Sequence, residues 1–268
     1  MTEFVRINRR LFLARLGKGT MALAVLGACG SNAGRSSTTV AASTTGPTST
    51  VEPTTASAAE TTTTAASTAP STGLAEYLRV DLGFVSAYVV VRGSEAAVVD
   101  TGVSGSEGPI GAALETVDLG WDAVSHLILT HHHPDHVGSM PAVLSAAVAA
   151  TGYIGEGDLD NVSGPRELLG VNDGDQVFGL TVIGTPGHTA GHISLLDPVA
   201  SVLIAGDALN GNDGAVAGPN PQFSEDHSEA LATVGKIAGY EYETMYFGHG
   251  EPVFEGGSGL VADLAESQ

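Results

Sequence analysis

The run Thr130-His131-His132-His133-Pro134-Asp135-His136 crowds four histidines and an aspartate, all potential metal ligands, into six residues. Imidazole nitrogens and a carboxylate suit zinc and its first-row neighbours. Ligands drawn from one short loop also add little loop-closure entropy. Ile128-Leu129 before the run reads as a strand end, and Ala142-Val143-Leu144 after it as part of a helix. The cluster is therefore expected on a loop between two rigid elements, the usual place for catalytic groups.

Three later motifs repeat one pattern. Thr185-Pro186-Gly187-His188-Thr189-Ala190-Gly191-His192 follows the apolar run Leu180-Thr181-Val182-Ile183. Ala205-Gly206-Asp207 follows Val202-Leu203-Ile204, and Phe247-Gly248-His249-Gly250 follows Met245-Tyr246. Each is a short apolar run ending in a glycine-flanked His or Asp. A buried strand delivering one ligand at its end would look like this, with glycine letting the backbone turn tightly.

Taken together, these motifs resemble the metallo-β-lactamase-fold hydrolase superfamily, with the ligand set of its glyoxalase II and lactonase branches. The signature His-x-His-x-Asp-His stands at His131, His133, Asp135 and His136, and the later ligand motifs at His188, Asp207 and His249. A strand ending in Asp-Thr-Gly stands at Val98-Val99-Asp100-Thr101-Gly102. The resemblance implies an α/β (α+β) fold, a four-layer αββα sandwich with metals at one edge. It also implies two divalent ions, zinc first and manganese or iron as alternatives. His131, His133 and His188 would hold one; Asp135, His136 and His249 the other; Asp207 would bridge. Ions roughly 3.5–4 Å apart would share a hydroxide as nucleophile. Asp135, beside the bridging position, could also carry the proton to the leaving group.

Patterning alone supports alternating strands and helices. Strand-like runs are Ala87–Val91, Ala96–Val99, Leu127–Leu129, Leu180–Ile183, His192–Leu196, Val202–Ala205 and Thr244–Phe247. Helix-like stretches are Pro109–Thr116, Ser139–Ala149, Ser224–Ile237 and Leu260–Glu266, with Ser224 expected as an N-cap before Glu225-Asp226. The polar, glycine-rich segment Asn210–Phe223 reads as one wall of the pocket, with Asn210, Asn212 and Asn220 as substrate contacts. His192 is expected to pack or to support a ligand, and Asp100 either to orient a ligand histidine or simply to form a turn. His132 reads as solvent-facing or supporting. His126 reads as a surface residue before a strand, and His227 as an exposed helical residue.

The amino terminus points to export. Asn8-Arg9-Arg10-Leu11-Phe12-Leu13 matches a twin-arginine signal, and Met21–Gly27 suits its apolar core while being too short to span a bilayer. Leu26-Gly27-Ala28-Cys29 resembles a lipobox. Cys29 is the sole cysteine, which excludes a disulfide within the chain and fits lipidation. Residues 1–28 are thus expected to be a signal peptide and 29–72 a Ser/Thr/Ala-rich disordered tether. Residues 73–268 would form one catalytic domain at the extracytoplasmic face of the membrane.

Charge limits the partners. Residues 1–28 hold five basic residues and one acid, so the remainder has 5 basic against 29 acidic residues. Beyond the tether only Arg79, Arg92, Arg166 and Lys236 are basic. Nucleic-acid binding needs clustered cations, and a small-molecule substrate is expected instead. Within the resembled superfamily, glyoxalase II is disfavoured, since only 19 residues follow His249 and few cations could meet glutathione. Asp207 argues against a dedicated zinc β-lactamase and His133 against a flavodiiron protein, while the lactonase branch stays open. A binuclear hydrolase of a small ester, lactone or amide is the leading expectation. The alternatives are a mono-iron persulfide-dioxygenase-like oxidoreductase and a non-catalytic metal- or solute-binding lipoprotein.

Overall fold

The computed structural model describes residues 74–268. The expected signal peptide, Cys29 and the tether lie outside the described residues.

Side-chain alternation builds two sheets. The first has the order β1-β2-β3-β4-β5-β6: β1 (Glu76–Asp81), β2 (Ser86–Arg92), β3 (Glu95–Val99), β4 (Val124–Leu129), β5 (Thr151–Gly155) and β6 (Leu168–Val171). Strands β1 to β3 pair antiparallel, and β3 to β6 parallel. In β2, Ala87, Val89 and Val91 enter one core while Tyr88 and Val90 enter another. Period-two geometry requires this when both faces are covered.

The second sheet contains β7 (Gln176–Val177), β8 (Leu180–Gly184), β9 (Ile193–Asp197) and β10 (Val202–Ile204). A small hairpin of β11 (Asn210–Asn212) and β12 (Ala215–Ala217) precedes its last strand, β13 (Thr244–Tyr246). The order is β13-β10-β9-β8-β7. Val202 and Ile204 face the first sheet, whereas Leu203 faces the helices.

Helices close both outer faces. Ile110 and Leu114 of α1 (Glu107–Glu115) and Met140, Val143 and Leu144 of α3 (Met140–Ala146) pack on the first sheet. The one-turn helix α2 (Pro134–Val137) lies just before α3. Val234 and Ile237 of α4 (His227–Ile237) and Val261 of α5 (Gly257–Glu266) pack on the second. The layers therefore run α-β-β-α, as the resemblance implied. Each fully buried aliphatic side chain in these cores contributes roughly 2 kcal/mol.

Several local expectations are corrected. Asp226, not Ser224, caps α4, its carboxylate accepting the Glu229 N–H at 3.0 Å. Ser224 instead donates to the Asn220 carbonyl at 2.8 Å. His126 lies inside β4 and stacks on Tyr153 at 5.5 Å, so it does not precede the strand. His227 is half-buried at the start of α4. Within Asn210–Phe223 the chain forms the β11–β12 hairpin, and the Asn210 amide donates to the Gly218 carbonyl at 3.1 Å.

The fold gathers chain reversals at one edge. Strands β3 and β4 run parallel, and β8, β10 and β13 share one direction in the other sheet. Asp100, His131, His188, Asp207 and His249 each follow the carboxyl end of one of these strands. Ligand sites in open α/β sheets form at such ends.

Candidate metal centre

Asp100 occupies the left-handed region at φ 58, which turns the chain sharply after β3. Aspartate tolerates this conformation better than most residues. Its carboxylate accepts from the Thr130 N–H at 2.7 Å, the Thr130 hydroxyl at 2.8 Å and His136 Nδ1 at 3.0 Å. His131 Nδ1 lies 3.0 Å from the same Thr130 hydroxyl. One buried carboxylate thus fixes the rings of His131 and His136 so that their Nε2 atoms face inward. His249 is set in the same sense, Nδ1 donating to the Phe84 carbonyl at 2.6 Å.

The inward nitrogens converge. His131 Nε2 lies 3.1 Å from His133 Nδ1, which lies 3.0 Å from His188 Nε2. On the other side His249 Nε2 lies 3.4 Å from Asp135 Oδ2, and His136 Nε2 lies 3.9 Å from it. Asp207 stands between the two groups. Its Oδ1 is 3.4 Å from His136 Nε2, and its Oδ2 is 3.4 Å from His188 Nε2 and 3.2 Å from His249 Nε2. All seven expected ligand residues are therefore brought together, in the trios His131-His133-His188 and Asp135-His136-His249 with Asp207 linking them.

Two observations show that this donor set fits divalent cations. His136 Nε2 and Asp207 Oδ1 are buried without a hydrogen-bond partner, a costly state that a cation between them would relieve. Gly248 leaves the space open, since a Cβ there would collide with the Asp207 carboxylate and with His136. Imidazole and carboxylate donors match first-row divalent ions.

Electrostatics agree. Burial, reinforced by neighbouring imidazoles, holds His131 well below the ordinary histidine range and lowers His133. Burial also lowers His188 to about 4. These rings are neutral at pH 7 and have free lone pairs. Burial opposes a charge on His136, but Asp207 and Asp100 outweigh it and raise this group to about 9. Burial likewise opposes a charged Asp207, yet His136 and His249 hold its carboxyl well below the usual carboxylate range. Without a cation, a proton on His136 balances the Asp207 charge.

His192 directs neither nitrogen at the centre. Its Nδ1 meets the Thr185 hydroxyl at 2.7 Å, and its Nε2 accepts the Asp207 N–H at 3.0 Å. His132 turns away from the trios, 3.1 Å from Asp158 Oδ2. Sequence reading misses three supporting groups: Thr130 behind His131, the Phe84 carbonyl behind His249, and Thr185 behind His192. Thr130 and Thr185 carry a signal, since each opens a ligand motif. Phe84 carries none, because the β1–β2 turn reaches His249 only through the tertiary fold.

A sequence model described as the Metallo-beta-lactamase superfamily matches residues 80–249. The chain is 35% identical over 156 residues to a hydroxyacylglutathione hydrolase of Alkalilimnicola ehrlichii, covering 58% of this chain and 56% of that one. It spans about half the length of the hydroxyacylglutathione hydrolases it matches. Among solved structures it is similar to the metallo-beta-lactamase family protein TTHA1429 from Thermus thermophilus. That match has a TM-score of 0.58 and 23% identity, covering 72% of this chain and 78% of the other. It is also similar to TTHA1623 in a di-iron-bound form, with a TM-score of 0.56 and 22% identity over 70% and 96% of the two chains. At these identities the structural matches speak to the fold.

Proposed function

This chain belongs to the metallo-beta-lactamase superfamily, and we propose that it is a binuclear metal-dependent hydrolase of a small ester, lactone or amide. The observation that carries this reading is the convergence of the two ligand trios on Asp207, with buried unpaired atoms aimed between them. Two divalent ions bound there would lower the pKa of a shared water toward about 7 and polarise the substrate carbonyl.

The chain's own groups supply the rest. His131, His133 and His188 hold the first position, and Asp135, His136 and His249 the second. Asp207 Oδ1 faces His136, and its Oδ2 faces both His188 and His249. Asp135 is 28% exposed in its side chain, so its Oδ2 can reach both the centre and solvent. It takes the proton of the attacking water and returns it to the leaving oxygen or nitrogen as the acyl bond breaks. Phe84, stacked on His249 at 6.1 Å and largely exposed, offers an apolar rim for the substrate's acyl portion.

Turnover of chromogenic esters and lactones tests the reading. Activity should vanish on chelation, return on adding zinc, manganese or iron, and be absent in Asp207→Ala. Activity that survives in Asp207→Ala would contradict it. We also propose that Cys29 carries a lipid that holds the enzyme at the extracytoplasmic face; Cys29→Ser should move it from the membrane to the soluble fraction with unchanged turnover.

A further inference from the structure

Asp158 sits in a short 3-10 helix, Glu156–Asn161, that no ligand motif includes. Its side chain is fully buried, yet it lies among donors from two ligand loops. Oδ2 accepts the His132 N–H at 3.0 Å and the Thr189 hydroxyl at 2.6 Å, and Oδ1 accepts the Gly191 N–H at 2.7 Å. The His132 ring lies 3.1 Å from Oδ2. His132 is the residue between His131 and His133, and Thr189 directly follows His188. The carboxylate therefore ties together the two loops that supply the whole first trio.

Close backbone approach reinforces the tie. A Cβ on Gly191 would strike the Asp158 backbone, and one on Gly157 would come within 2.9 Å of the Ala190 carbonyl. Burying a carboxylate is unfavourable unless its oxygens are satisfied, and charge-assisted hydrogen bonds are about twice as strong as neutral ones. Here those bonds converge on the residues flanking the ligands. Asp100 supports ligand rings of both trios, reaching His131 through the Thr130 hydroxyl and His136 directly, but it does not touch the His188 loop.

We infer that Asp158 is the positioning residue of the first metal position, holding the His131–His133 loop and the His188 loop at the separation the ion requires. The inference rests on the binuclear reading above. Supporting groups of this kind change metal affinity by about 10–100-fold when lost.

The test is stepwise metal titration of the metal-free, full-length protein with Zn²⁺, comparing wild type, Asp158→Asn, Asp158→Glu and Thr189→Val. Apo-protein melting temperature and near-ultraviolet circular dichroism report folding. Two ions per wild-type chain establish the premise; fewer would defeat the binuclear reading itself. Given that premise, Asp158→Asn should weaken one site by about 10–100-fold and leave the other within about 3-fold. Thr189→Val, which removes one donor, should weaken the same site less, and Asp158→Glu should restore part of the affinity. Equal affinities in all four proteins, or parallel weakening of both sites, would overturn the inference. If Asp158→Asn does not fold, Thr189→Val decides alone: a selective loss supports the assignment and unchanged affinity overturns it.

Discussion

The backbone N–H of Asp207 donates to Nε2 of His192 at 3.0 Å, while the other nitrogen of that ring meets Thr185 at 2.7 Å. A histidine four residues after a proposed ligand thus spends one nitrogen on the backbone of Asp207 and the other on Thr185. His192 is fully buried, and burial keeps its ring well below the ordinary histidine range and therefore neutral. His192→Ala should leave two ions per chain at saturating metal but lower affinity by about 10–100-fold. Equilibrium dialysis checks this; unchanged affinity would mean that the contact only packs the core.

His133→Ala and His249→Ala address opposite trios. Each should reduce tightly bound metal from two ions toward one and cut hydrolysis by at least about 100-fold, since losing a ligand exceeds losing its supporting partner. Metal analysis paired with turnover decides it. Full metal content with full activity in either variant would show that the assigned trio is wrong.

His136 makes metal loading a proton exchange. Raised to about 9, it is charged at pH 7 in the metal-free protein, whereas ligation needs the neutral ring. Loading at pH 7–8 should therefore release a proton, seen as a calorimetric heat that varies with the buffer's ionisation enthalpy. Linkage also gives a sign for stability. The His136 contribution is fully present below its ordinary value of 6.5 and is lost as pH rises through about 9. His188, lowered to about 4, costs the metal-free protein stability as pH falls from 6.5 toward 4. Metal-free melting temperature should thus decline in both directions from near neutrality, and His136→Gln should flatten the alkaline side. An unchanged alkaline slope in that variant would contradict the assignment.

Substrate charge provides another test. The chain carries a net charge of −20. Among the described residues, each cation is already engaged: Arg79 with Glu251, Arg92 with Asp197, Lys236 with Asp173, and Arg166 with backbone carbonyls. A carboxylate-bearing ester should be hydrolysed more slowly than its neutral isostere, and added salt should narrow the gap. A preference for the anionic ester at low salt would refute this.

The centre is more legible in the sequence than its surroundings. Ligand residues announce themselves because each must follow a buried strand, and strands such as Val202–Ile204 are short apolar runs with a glycine soon after them. The β1 strand, EYLRVD, and the short β6 and β7 carry weaker patterns and escape sequence reading. The α4 cap is ambiguous in sequence because Ser224, Glu225 and Asp226 are all plausible at that end, and only tertiary packing chooses Asp226. Asp158 is invisible for a related reason. Its partners lie 26 to 33 residues away, joined to it only when the two sheets fold together. The matched hydroxyacylglutathione hydrolases share sequence with this chain over only about half their length.

Elemental analysis of metal per chain, on protein purified without added metal, tests the central claim most directly. Close to two first-row ions per chain, falling toward none in Asp207→Ala, is the predicted result. A single iron per chain, or no metal at all with ester hydrolysis intact, would contradict the binuclear account.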